Sequence, residues 1–245
     1  MKKIFVLTVV LLSCVSESVF AQLYVSNNYV YVADKYLYVQ QDVNIQNSGN
    51  LYLRNESQLL QAKAGSSANS GAGKLSVFQE GTVNNFAYNY WCSPVGNSIT
   101  ASGNEPFGIT MLNQPTSAIV STPATMLSMS TYNGIANPLS ISQGWIFKYL
   151  SSSLYSQWFG VYSASTLNPG EGFTMKGTSG TDATFTDAGV TNNPGSKQRY
   201  DFRGRPNDGD ITINLALGMR TLTGNPYPSA IDLRAFLLGA TNSTG

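Results

Sequence analysis

Leu23-Tyr-Val-Ser-Asn-Asn-Tyr29, Val30-Tyr-Val-Ala-Asp-Lys-Tyr36, Leu37-Tyr-Val-Gln-Gln-Asp-Val43, Asn44-Ile-Gln-Asn-Ser-Gly-Asn50 and Leu51-Tyr-Leu-Arg-Asn-Glu-Ser57 are five consecutive heptads. Tyr24, Tyr31, Tyr38 and Tyr52 fall in register, as do Val25, Val32, Val39 and Leu53. A seven-residue period with an apolar seam belongs to a coiled coil, but here Tyr and Val dominate and Asn, Asp and Gly fill the intervals. Aromatic and β-branched residues fit a pleated strand, and Asn, Asp and Gly fit tight corners. The repeat therefore predicts three-residue strands with a corner every heptad. Three such units make a coil of about 21 residues, the scale of a β-solenoid rung. A short meander with the same spacing is the alternative. This seven-residue, solenoid-like β repeat is assigned to residues 22–61.

Outward from the repeat, residues 62–73 (Ala-Lys-Ala-Gly-Ser-Ser-Ala-Asn-Ser-Gly-Ala-Gly) are small and show no hydrophobic pattern, which predicts a Gly/Ser/Ala linker. Residues 74–245 then carry short β-type runs separated by Gly, Pro and Asn: Lys74–Gln79, Phe86–Trp91, Gly144–Tyr149, Gln157–Tyr162, Glu171–Lys176, Gln198–Arg203 and Asp210–Leu215. That spacing predicts an antiparallel β-sandwich or jelly roll. All ten prolines lie between residues 94 and 228, mostly in the gaps, where they remove no ladder hydrogen bond. One short helix is expected over Ala230–Leu238, capped by Ser229 and stopped by Gly239. The expected fold class is all-β throughout.

On the other side of the repeat, Lys2 and Lys3 precede an apolar run from Ile4 to Leu12 that only Thr8 interrupts, and Val19-Phe-Ala21 supplies small residues for a signal peptidase. Residues 1–21 thus read as a signal peptide cleaved before Gln22. The run is too short to cross a bilayer, which takes about 18 residues or more, so no transmembrane span is expected. Acylation of Cys14 is a competing reading, which bulky Leu12 fits poorly. An extracellular or outer-cell-surface location follows.

Ser, Thr, Asn and Gly make up 94 of the 245 residues, charged residues only 11%, and there is no histidine. The missing imidazole excludes His-based acid–base catalysis and His-ligated metals. Loss of Lys2, Lys3 and Glu17 with the leader leaves equal numbers of acidic and basic residues, so nothing pulls the chain towards nucleic acid. Cys92 is then the one cysteine, too few for a disulfide and without a histidine base, and is expected as a small buried apolar residue.

No catalytic, cofactor-binding or metal-ligating residue is assigned. Lys197-Gln-Arg-Tyr-Asp-Phe-Arg-Gly-Arg205, read as a strand, puts Arg199, Asp201 and Arg203 on a solvated, self-paired face and Gln198, Tyr200 and Phe202 on the other. Pro206-Asn-Asp-Gly-Asp210 is read as a hairpin turn; a calcium loop at Asp208 and Asp210 is the alternative, but the further carboxylate it needs is not in place. Glu171, in Asn168-Pro-Gly-Glu-Gly-Phe173, is a candidate to pair with another carboxylate for glycoside hydrolysis, a separation that sequence does not show; the few carboxylates are scattered singly, which disfavours it. Trp91, Trp145 and Trp158 are either core residues or a sugar-stacking platform. Gly224-Asn-Pro-Tyr-Pro-Ser229 predicts a rigid loop.

Four phrases, Tyr88-Asn-Tyr-Trp-Cys-Ser-Pro-Val-Gly96, Asn168-Pro-Gly-Glu-Gly-Phe-Thr-Met-Lys-Gly177, Tyr200-Asp-Phe-Arg-Gly-Arg-Pro-Asn-Asp-Gly209 and Gly224–Ser229, together resemble a module of large exported Bacteroidota surface proteins, often found upstream of a C-terminal type IX secretion sorting domain. The resemblance implies a secreted, adhesin-like or structural cell-surface module without catalytic activity, with a surface glycan or protein as partner. An accessory domain of a secreted polysaccharide-degrading enzyme is the alternative. Cys92 departs from the serine expected there. Because no sorting domain follows, residues 74–245 are expected to be a module truncated at its C-terminus.

Overall fold

Leu23, Val25, Leu37 and Val39 alternate with Tyr24, Tyr36 and Tyr38, and a period of two puts the aliphatic set on one face and the tyrosines on the other. The computed structural model describes residues 22–239; the expected leader and the final segment 240–245 lie outside them. The heptads form Leu23–Val25 (β1), Tyr29–Ala33 (β2), Tyr36–Val39 (β3), Val43–Ile45 (β4), Asn50–Arg54 (β5) and Gln58–Gln61 (β6). These pair in parallel, β1 with β4, β2 with β5 and β3 with β6.

The corners use residues that tolerate the left-handed region: Asn27, Asp34 and Asn55 have φ of 53°, 57° and 50°. Register decides the facing. Leu23 lies opposite Val43 and Val25 opposite Ile45, one residue short of three heptads. That slip turns Ile45, which stands in the tyrosine column, into the core. Val25, Val39, Val43, Leu51, Leu53 and Leu59 join it, while Tyr24, Tyr29, Tyr31, Tyr36 and Tyr38 stay exposed.

The stretch expected as a linker lies against the repeat. Ser70 N–H donates to the Val43 carbonyl and Ile45 N–H to the Ser70 carbonyl, both at 3.0 Å. Lys74–Glu80 (β7) then pairs in parallel with β5. The small residues serve close approach: a Cβ on Gly71, whose φ is +86°, would collide with the Ile45 carbonyl. Residues on both sides of 62–73 therefore share one sheet, and composition alone does not separate flexibility from tight backbone packing.

The chain continues through Tyr88–Cys92 (β8), Val95–Gly96 (β9), Leu112–Pro115 (β10), Ser121–Pro123 (β11), Thr125–Leu127 (β12), Ser140–Ser142 (β13), Ile146–Lys148 (β14), Phe159–Gly160 (β15), Gly172–Lys176 (β16), Asp182–Asp187 (β17), Val190–Asn193 (β18) and Arg199–Pro206 (β19). One sheet has the order β11-β10-β19-β7-β5-β2, with β9 also on β19, and a second, antiparallel sheet has the order β15-β14-β16-β8. Their facing residues meet in an aromatic spine, joined by Phe107 from the segment between β9 and β10. Trp91 sits edge-on to Tyr200 with centroids 5.5 Å apart, Phe202 stacks on Phe107 at 5.6 Å, and Phe107 stacks on Phe173 at 6.2 Å. The described residues are thus all-β apart from short 3-10 turns and one α-helix, Leu233–Leu238 (α1).

Three details depart from the sequence reading. Asp210–Leu215 forms no strand; Ile211 and Ile213 instead lie over Gly170. The helix is capped by Asp232, whose Oδ1 accepts from Ala235 N–H at 2.9 Å, not by Ser229. Leu59 N–H donates to the Pro228 carbonyl and Ala230 N–H to Gln58 Oε1, which holds residues 228–230 against β6.

The third departure concerns β19. Arg199, Asp201 and Arg203 do share a face, but Arg199 and Asp201 are buried: Arg199 donates to Glu80 and to the Asp187 carbonyl and lies by the Phe78 ring. Asp201 accepts from Ser76 Oγ at 2.7 Å and Ser121 Oγ at 2.6 Å, and Arg203 lies 3.8 Å away. Arg54 completes the group, donating to Ser76 Oγ at 2.8 Å and to the carbonyls of Leu53, Ser76 and Ala118. Its guanidinium covers Phe78 at 3.5 Å from the ring centroid. Arg54 stands where the earlier heptads have Ser26, Ala33, Gln40 and Asn47, so the deviant position of the repeat ties β5 to β7.

Cys92 ends β8 half-buried, with its Cβ against Gly224. Burial pushes the thiol up to about 12, although backbone hydrogen bonding at Gly170 and Gly224 works against it. Since the thiolate is the reactive form, labelling by a thiol reagent at pH 8 should be slow in the native protein and fast after unfolding. Equal rates in the two states would show an accessible thiol.

Candidate ligand-binding cleft

Alternation along β8 sends Asn89 and Trp91 inward and leaves Tyr88 and Tyr90 on the outer face of the second sheet. Cross-strand register extends that face: Tyr90 lies opposite Thr174, which lies opposite Phe147. The segment after β14 closes one side. Gln157 Oε1 accepts from the N–H groups of Ser153 and Leu154, and Tyr149 Oη donates to the Leu154 carbonyl at 3.0 Å. That turn presents Tyr155, which is 90% exposed, and sets Trp158 against Tyr149 with centroids 4.9 Å apart. Tyr88, Tyr90, Phe147, Tyr155, Ser156, Trp158 and Thr174 enclose an open cleft of about 310 Å³.

Tyr90 also lines a second groove, of about 570 Å³, on the far side of the β8 edge. The turn from β5 into β6 at Glu56–Gln58, β7 and residues 222–230 form its walls. The loop wall is fixed: Tyr227 Oη donates to the Gly209 carbonyl at 2.7 Å and Asn207 Nδ2 to the Pro226 carbonyl at 3.1 Å. This matches the rigid loop expected of Gly224–Ser229.

The three tryptophans divide. Trp91 is in the aromatic spine. Trp145 lies beside Tyr132 at 6.2 Å, with Lys176 Nζ 5.0 Å from its ring centroid. Only Trp158 lines the cleft. Tyr88 and Tyr90 stood in the sequence as one face of an alternating run, but a period of two does not tell which face is wet.

The remaining candidates are engaged within the fold. Glu171 accepts from Lys148 Nζ and from Asn168 Nδ2, each at 2.9 Å. Asp208 is buried and accepts from Gln61 Nε2 at 2.9 Å; burial pushes its carboxyl above the ordinary range, and nearby Asp42 adds to this. Gly209 takes φ of +68° and Asp210 N–H donates to the Gly65 carbonyl at 2.7 Å, as a packed turn requires. Among the described residues no three acidic or cysteine side chains gather where they could hold a metal ion, and no helix is long and apolar enough to cross a membrane.

The described residues define an all-β protein with an aromatic cleft and an adjoining groove on its surface. The chain belongs to a family described as "Domain of unknown function (DUF8693)", whose model matches residues 8–245. No curated protein and no solved structure matches it.

Proposed function

We propose that the protein is an extracellular, non-catalytic adhesion module that binds glycans in the aromatic cleft. One observation carries this reading: five large rings are grouped around an open cleft on the outer face of a sheet, although the core already holds Trp91, Phe107, Phe173, Tyr200 and Phe202. Sugar rings have an apolar C–H face that stacks on an aromatic ring, and hydroxyls that suit Ser156, Thr174 and the tyrosine hydroxyls. The leader-like N-terminus and the resemblance to exported surface modules support a cell-surface setting. We read the parallel heptad strands as a short solenoid-like stem under a sandwich-like module.

A glycan array probed with the purified protein and with Trp158→Ala tests the proposal. The wild type should bind a restricted set of glycans, and Trp158→Ala, unchanged in circular dichroism, should bind them about tenfold more weakly, the scale of one lost ring contact. No glycan binding by the wild type, or full binding by Trp158→Ala, would sink it.

A further inference from the structure

We infer that the glycan is an uncharged linear chain that crosses Tyr90 and occupies both the aromatic cleft and the second groove. This rests on the glycan-binding reading above. Tyr90 lines both spaces and is 67% exposed, so it stands where they adjoin and its ring is open to a ligand. Each space alone falls in the range of about 300–1,000 Å³ typical of small-ligand sites. A single sugar would fill only one, whereas a chain can run from Trp158 over Tyr90 to the turn at Glu56–Gln58.

Charge defines the class of chain. No Lys or Arg lines either space, and apart from tyrosine and Cys92 the one ionisable side chain is Glu56. Glu56 is exposed at the corner and forms no ion pair among the described residues. A uronate or sulfated chain would meet that carboxylate with no cation to offset it. Lys176, the nearest candidate in register with Tyr88, is turned away and donates to the Tyr132 carbonyl and Asn133 Oδ1. The second groove is also rigid, because residues 224–230 are anchored to β6, Asn207 and Gly209. A preformed groove adds contacts for a longer chain without an ordering penalty.

Titration calorimetry with neutral cello- and manno-oligosaccharides, from disaccharide to octasaccharide, and with alginate oligosaccharides tests this. In at least one neutral series affinity should rise tenfold or more with length and then level off, and alginate should bind more weakly than the neutral chain of equal length. Ala230→Trp, an exposed position that lines only the second groove, should reduce long chains to the affinity of the disaccharide and leave the disaccharide unchanged. Glu56→Lys should raise the affinity for alginate relative to that for the neutral chain of equal length. Disaccharide binding with no gain on lengthening, or a gain that survives Ala230→Trp, would overturn the crossing while leaving the cleft as a sugar site. Tighter binding of alginate than of neutral chains would overturn the assignment of charge. No binding of any glycan in the array would instead remove the parent reading.

Discussion

Phe202→Ala should destabilise the protein by about 3–5 kcal/mol, the range for truncating a large buried ring. Phe202 is fully buried and central to the spine, within 5.7 Å of Trp91 and 5.6 Å of Phe107 between ring centroids. Its neighbours belong to both sheets and cannot all close on the void. Urea denaturation followed by tryptophan fluorescence would measure the loss. A change within about 0.5 kcal/mol, the usual size for a surface substitution, would mean that the sheets do not pack across this ring.

Arg54→Ala should cost about 1.5–3 kcal/mol, the scale of hydrogen bonds lost from a charged group, because it strips Ser76 Oγ and three carbonyls of their donor and removes a charge that favours the ionised form of buried Asp201. Burial pulls the Arg54 guanidinium down to about 10, and the charges of Asp201, Tyr31 and Asp187 oppose that shift; the group stays charged at neutral pH. Asp201 has no exposed surface, and with Arg54 gone only Arg203, Ser76 and Ser121 remain to hold it. Arg54→Lys should recover little, since an ammonium cannot reproduce the fork that reaches Ser76 and three carbonyls. Arg54→Ala with Asp201→Asn should lose less than the sum of the two single changes, the mark of a coupled pair. Strict additivity would show that the two side chains act independently. Because Arg54 is in β5 of the heptad repeat and Asp201 in β19, the same variants report whether the repeat and the rest unfold together. A separate early transition confined to residues 22–61 would show that they do not.

The strand content was legible because its signals are local. Period-two alternation marked β7, β8, β16 and β19, and Asn or Asp at the heptad corners marked the turns of the repeat. What sequence could not supply was coverage. Arg199, Asp201 and Arg203 look like a solvated face until Glu80, Phe78 and the Asp187 carbonyl meet Arg199 and Arg54 arrives from a segment far away in the chain. Residues 62–73 look flexible because the same small residues serve a loop and a backbone packed against Ile45. The tryptophans of the site were equally opaque: Trp91 and Trp158 both sit in alternating segments, and only the tertiary fold sends one to the spine and the other to the cleft. Tyr155 lies in no periodic segment, and a 3-10 turn brings it to the rim.

The most direct test of the glycan-binding account is a crystal structure of the protein with the oligosaccharide that the array ranks first. The account predicts a sugar ring parallel to the indole of Trp158 and a neighbouring unit on Tyr90, with hydroxyls directed to Ser156 or Thr174. A ligand seated elsewhere, for example on the exposed Tyr24, Tyr36 and Tyr38 of the heptad repeat, with the cleft empty, would contradict it.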